Sequence, residues 1–323
     1  MEIGSFLQLD LNPFGEYFTG DEHVAKLNSA RSGIYHSLRL YNCSTIYIPH
    51  YLCSTVNDFL ERKGIEIKKY SINNRFEPMI SSIESDAAIL IVNYFGILSE
   101  ETLLRIKGNF DKVIFDFCPS FYTEPIKGSY SVYSTRKFFG VPDGSYVIGE
   151  NAGKYMDEYQ QDMSANTSAY LLKKLESGGS ASYVDRMMNE KRIDRSDILR
   201  MSELTSALLK GIDYQRIKSI RKDNFQIAHE LYAGINMINP AGFMSESSIP
   251  MVYPLLIEDA ALVDKLREKQ IFTGRWWNHV LKEVPENSIE ARMSKYMVPV
   301  PIDQRYGKIE LEYVFKNITE FLL

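Results

Sequence analysis

Two residues stand where their types can do chemistry together. Asp116 closes the apolar run "KVIFD", and Lys137 follows twenty-one residues later inside "SVYSTRKFFGVPDGSYVIG". An acid at the end of a buried strand is either satisfied by nearby backbone or aimed at a ligand. A lysine crowded by aromatics on both sides is unusual, because lysine is costly to bury. Taken alone it reads as a surface lysine whose stem snorkels beside Arg136. Desolvated, its amine can form an imine with a carbonyl. A third feature is "NSARSG", a helix start made of small residues. The free N–H groups and positive dipole end of a helix start suit a phosphate, although Ser29 alone reads as an N-cap.

Together the three features match the needs of pyridoxal phosphate (PLP): a lysine for the Schiff base, an acid for the pyridinium nitrogen and an anion site for the phosphate. Opposite charge favours the charged form, so the acid keeps the ring protonated. The lysine is displaced by the incoming amine and can then move the proton as acid and base.

The elements that must position these residues are legible as an alternation. "STIYIP", "IEIKKYSI", "AAILIVNYF" and "KVIFDF" read as strands. "YLCSTVNDFLERKG", closed by Gly64, and "SEETLLRIKGN", capped by Ser99, read as helices between them. Short apolar strands separated by helices predict a mostly parallel sheet covered on both faces. In such a sheet ligands gather at the carboxyl ends of the strands. Ahead of them, "LNSARSGIYHSLRLYN" has apolar residues at helical spacing. Past residue 150 the pattern turns to long helical stretches, and from about residue 221 it mixes helices with strands such as "SIPMVYPLLI". This predicts an α/β domain over 1–220 and a smaller α+β unit over 221–323.

The bounds fit this reading. The chain has 323 residues, 45% hydrophobic and 24% charged, which is ordinary for a globular protein. A net charge of −5 gives no general affinity for nucleic acid or anionic membranes. Cys43, Cys53 and Cys118 are too scattered for a disulfide framework or a zinc site, and they read as reduced thiols in the cytoplasm. The histidines show no metal-ligand spacing, so no metal is expected. "MEIGSFLQLDLNPFGEYF" lacks the pattern of a leader, and "AAILIVNYFGIL" is too short to span a bilayer.

In order along the chain, "NSARSGIYHSL", "IYIPHYLCSTVNDFLERKGIEIKKYSI", "AAILIVNYFG", "VIFDFCPSFY", "SVYSTRKFFGVPDGSYVIG", "RMSELTSALL" and "MVPVPIDQRY" resemble a family. The set is similar to the sugar aminotransferases of the DegT/DnrJ/StrS group, fold-type-I PLP enzymes, in a divergent and shortened branch. The resemblance implies the aspartate aminotransferase-like fold, with Lys137 as the Schiff-base lysine and Asp116 as the partner of the pyridine nitrogen. It implies that backbone amides of Ala30 and Arg31 and the hydroxyl of Ser134 hold the phosphate. Tyr51 lies in the segment that supplies an aromatic stacked on the ring, with Leu52 or Cys53 as alternatives in register. Ser120 falls near the contact to the ring hydroxyl, and Asn93 takes the place of a histidine or similar residue. Arg200 resembles an arginine near a dimer interface, and a homodimer is implied.

The departures are Pro119 in place of Gln or His, Ala30-Arg31 in place of Gly-Thr or Gly-Ser, and Ile198 in place of Asn. Two residues are substrate candidates. Trp277, beside Trp276, can line a sugar pocket or pack a core. Arg305 can fork onto the carboxylate of a donor such as glutamate or pair with Asp303.

The expected activity is amino transfer from an amino acid, glutamate, to a keto sugar carried on a nucleotide, in surface-polysaccharide or amino-sugar biosynthesis. One competing reading keeps the cofactor and changes the acceptor to a smaller carbonyl compound. Another makes the chain a PLP-fold protein with a binding or regulatory role.

Overall fold

The strand sequences are short and rich in β-branched and aromatic residues, and the strongest of them, "AILIV", is buried at every position. A run buried on both faces belongs in the middle of a covered sheet. The computed structural model describes residue 7, residues 9–20 and residues 22–322. Most of the start of "MEIGSFLQLDLNPFGEYF", read above as lacking a leader, lies outside the described residues.

In chain order the elements are β1 (Val24–Leu27), α1 (Ala30–Tyr41), β2 (Thr45–Pro49), α2 (Ser54–Arg62), β3 (Glu66–Tyr70), β4 (Ala88–Val92), α3 (Glu100–Lys107), β5 (Val113–Asp116), β6 (Tyr130–Ser134) and β7 (Ser145–Ile148). Then follow α4 (Ala169–Ala181), α5 (Tyr183–Arg195), α6 (Glu203–Lys210), α7 (Tyr214–Tyr232), β8 (Val252–Leu256), α8 (Leu262–Glu268), α9 (Ile289–Tyr296), β9 (Met297–Pro301) and α10 (Lys308–Leu322).

The main sheet has seven strands in the order β1-β7-β6-β5-β4-β2-β3. β2, β3, β4, β5 and β6 pair in parallel, and β7 is antiparallel to both β6 and β1. β1 therefore runs the same way as β6. It is a strand that the sequence reading did not name, because "VAKL" is short and merges into the helical pattern behind it.

α1 packs close on this sheet. A Cβ on Gly33 would lie 2.8 Å from Val132 Cγ1 and 3.0 Å from Val147 Cγ2, so only glycine lets the helix approach so near. β8 and β9 form a separate antiparallel pair. Leu255, Val300, Leu266 and Ile318 pack there with the far half of α7 in a second apolar core. The position between residues 220 and 221 falls inside α7. Tyr214 and Ile217 of that helix belong to the large core, and Phe225, Ala228 and Tyr232 to the small one.

Candidate active site

Because six strands point one way, the residues that follow them meet at one edge of the sheet. Asn28 and Ser29 follow β1, His50 to Cys53 follow β2, Asn93 follows β4, Asp116 ends β5, and the Lys137 turn follows β6. This is the edge at which α/β sheets bind ligands.

Asp116 is 6% exposed and sits level with Val92 on one side and Val132 on the other. Cys118 fixes it. The Cys118 amide donates to Asp116 Oδ1 at 2.8 Å, and the thiol lies close to the same carboxylate. Burial raises the thiol well above its usual pKa and Asp116 adds to this, while the Lys137 charge acts in the opposite direction. Asp116 and Lys137 thus both act on one buried sulfur.

Lys137 lies in the turn between β6 and β7, and it is exposed. The expectation of a desolvated lysine is corrected for the single chain. The turn stands at the rim of the sheet, and it is Phe138 and Phe139 that turn into the core. The turn itself is firmly held. Thr135 Oγ1 donates to the carbonyls of Asp143 and Gly144 at 3.1 and 2.9 Å. The buried Asp143 carboxylate accepts from the Ser202 amide at 3.0 Å and from the Ser202 hydroxyl at 2.6 Å. Tyr170 of α4 and Asn189 of α5 donate to the carbonyls of Val141 and Pro142 at 3.2 and 2.7 Å. Gly144 has φ +116, and a Cβ there would meet Thr135 Oγ1 at 2.4 Å, so the "PDG" turn requires its glycine.

The start of α1 lies beside this turn, since Gly144 N donates to Asn28 O at 2.9 Å. The first amides of a helix lack intrahelical acceptors. Ser29 Oγ takes the Ser32 amide and Ser29 O takes that of Gly33. The amides left open are those of Ala30 and Arg31. The Arg31 side chain goes elsewhere: Nη1 donates to Asp194 Oδ1 at 2.8 Å. Ser134, the last residue of β6, is 8% exposed on the same edge. Ser120 is buried with an unpartnered hydroxyl. Open amides, an orphaned hydroxyl and a buried acid are the donor and acceptor set that PLP uses, so the residues present fit that group.

Two expectations are corrected by side-chain environment. Tyr51 is fully enclosed, with its ring centroid 4.5 Å from that of Trp277 and 5.6 Å from that of Tyr94, so no face is free to stack. Cys53 of the same segment is half-buried and near enough to Cys118 to affect its thiol. Asn93 is spent on structure: Oδ1 accepts from Leu98 N at 3.0 Å and Nδ2 donates to Thr123 Oγ1 at 3.3 Å.

Trp277 packs on Tyr51, and Trp276 stacks on Phe95 at 5.2 Å. Both therefore cover the large unit and do not fill the core of the small one. Arg305 grips Asp303 with Nε at 2.7 Å and Nη2 at 2.8 Å, so its fork is occupied from within the chain. Among the described residues no group of three or more His, Cys, Asp or Glu is arranged to hold a metal ion. No described helix is long and apolar enough to cross a membrane. Cys118 and Asp143 were invisible to sequence reasoning as site residues. The signal for Asp143 was present in the "VPDG" turn, but its buried partner Ser202 is far along the chain.

The seven-stranded, mostly parallel sheet with its separate antiparallel pair is part of a fold that the chain shares with solved aminotransferases. No family model and no curated protein matches the chain. Among solved structures it is similar to the sugar aminotransferase CalS13 from Micromonospora echinospora, at 12% identity, 92% of this chain, 87% of that one and a TM-score of 0.60. It is similar to a DegT DnrJ EryC1 StrS aminotransferase from Brucella abortus, at 15% identity, 93% and 86% coverage and a TM-score of 0.62. It is also similar to Spr1654 from Streptococcus pneumoniae in its PLP-form, at 12% identity, 93% and 88% coverage and a TM-score of 0.62. At these identities the likeness establishes the fold.

Proposed function

We propose that the chain is a PLP-dependent aminotransferase that moves an amino group from an amino acid, glutamate, to a keto sugar carried on a nucleotide. The observation that carries this reading is the meeting of Asp116, the Lys137 turn and the open start of α1 at one edge of the sheet. The fold likeness to sugar aminotransferases supports the acceptor class. When bound, PLP supplies the carbonyl that takes up the donor's amine and the ring that accepts the electrons released.

The residues of the chain do the rest. The Ala30 and Arg31 amides and the Ser134 hydroxyl hold the phosphate. Asp116, braced by the Cys118 amide, keeps the ring nitrogen protonated. Lys137 provides the amine that anchors the cofactor, and its Nζ takes up and returns the proton.

We further propose a homodimer in the cytoplasm, serving surface-polysaccharide or amino-sugar synthesis. The α4–α5 hairpin presents Leu172, Leu175, Tyr183, Val184 and Met188 to solvent, and the exposed Lys137 lies in the turn whose Val141 and Pro142 carbonyls this hairpin holds. A second copy covering that side buries the apolar face and encloses the lysine.

The test adds PLP to the purified protein and records the visible spectrum, before and after borohydride. Glutamate with a panel of nucleotide-linked keto sugars then follows, with 2-oxoglutarate as the readout. A reducible visible band on Lys137 and release of 2-oxoglutarate are expected. A band with turnover only on small ketones points to the smaller-carbonyl reading. A protein with no band after PLP addition is a binding protein on this fold.

A further inference from the structure

Phe138, the neighbour of Lys137, is held by two side chains from outside the large sheet. Gln304, in the segment after β9, donates from Nε2 to the Phe138 carbonyl at 2.8 Å. Arg221, on α7 where that helix passes between the two cores, has Cζ 4.4 Å from the Phe138 ring centroid. Arg221 is 1% exposed, and its Nη1 donates to Met251 O at 3.0 Å and to Pro250 O at 3.4 Å. Burial lowers the guanidinium to about 10 against the pull of Asp303, so it is still charged at neutral pH and its attraction to the ring persists.

The ring and the carbonyl of one residue are therefore tied to α7 and to the end of the small sheet. Two buried polar atoms beside this tie have no partner: Arg221 Nε, a donor, and Gln304 Oε1, an acceptor.

We propose that Gln304 and Arg221 are positioning residues that set Lys137 through Phe138. They form a latch that ties the lysine turn to α7 and to the end of the small sheet. The catalytic part of this rests on the reading of Lys137 as the cofactor lysine.

The experiment uses the full chain and two variants, Gln304→Ala and Gln304→Glu, the second keeping the bulk but losing the donor. Without cofactor, amide exchange at Phe138, Phe139 and Val141 is expected to quicken about five- to tenfold in both variants, with β4 and β5 unchanged. With PLP added, the pH midpoint of the visible band is expected to move away from that of the natural protein in both variants. Unchanged exchange in the turn overturns the latch, and so does equal acceleration in β4 and β5, which marks a loss of global stability. Faster exchange with an unmoved pH midpoint overturns the positioning role. If the natural protein gives no borohydride-reducible band on Lys137, the reading of that lysine fails, and the exchange result alone decides the latch.

Discussion

At the scale of single residues, the proposed joint action of Asp116 and Lys137 depends on a strand end and a turn brought to one edge by β5 and β6 lying side by side. Lys137→Ala is expected to lose the reducible visible band and to cut amino transfer about 10²–10⁴-fold, as removal of a proton-carrying group does. A steady-state assay beside the spectrum checks this, and an unchanged band places the cofactor on another lysine. The types of these two residues and their place at strand ends were legible in the sequence. The uses of Tyr51 and Asn93 were not, because each is decided by partners that the sequence does not adjoin. Trp277 and Tyr94 enclose Tyr51, and Thr123 and Leu98 take up Asn93. Arg305 shows the reverse case, in which the partner Asp303 sits two residues away and the pairing could be read directly.

At the scale of elements, α1 is the piece on which the proposed phosphate end of the site depends. Gly33→Ala puts a methyl group 2.8 Å from Val132 Cγ1. The helix must then back away from β6 and β7, at a cost of about 1–3 kcal/mol, measurable by urea denaturation. The same helix is fixed on its other side by His36, whose ring is fully buried. Nε2 donates to Ala152 O at 2.7 Å and Nδ1 accepts from the Tyr159 hydroxyl at 3.0 Å. Burial lowers the His36 pKa, outweighing the bond to Ala152. The unfolded chain therefore takes up the proton first as pH falls through about 6.5. The stability from neutral His36 is complete above that pH and is lost below it, toward the depressed folded value. The natural protein should lose melting temperature between pH 7 and 5 more steeply than His36→Gln. Equal slopes would assign the acid sensitivity to other groups. Helix α1 and most strands could be read from pattern. β1 could not, since a four-residue strand earns its place only by pairing with β7, far along the chain.

At the scale of the whole molecule, the exposed hairpin of α4 and α5 is where the dimer proposal can fail. Leu175 and Val184 are 85% and 68% exposed. Leu175→Glu with Val184→Glu is expected to give a folded monomer by analytical ultracentrifugation, with weakened PLP retention; an unchanged dimer moves the interface elsewhere. The sequence reading divides the chain between residues 220 and 221, and α7 runs across that point as one helix, with no break in its periodicity to mark where one core ends. That helix is 19 residues long, about 28 Å, and it contributes side chains to both cores. Neither core can melt alone without stripping half of a helix that the other still holds. Heating should therefore produce a single calorimetric transition, with van't Hoff and calorimetric enthalpies in agreement for each unfolding unit. Two separated peaks would mean that α7 frays in the middle, and that the parts of this protein part company before they unfold.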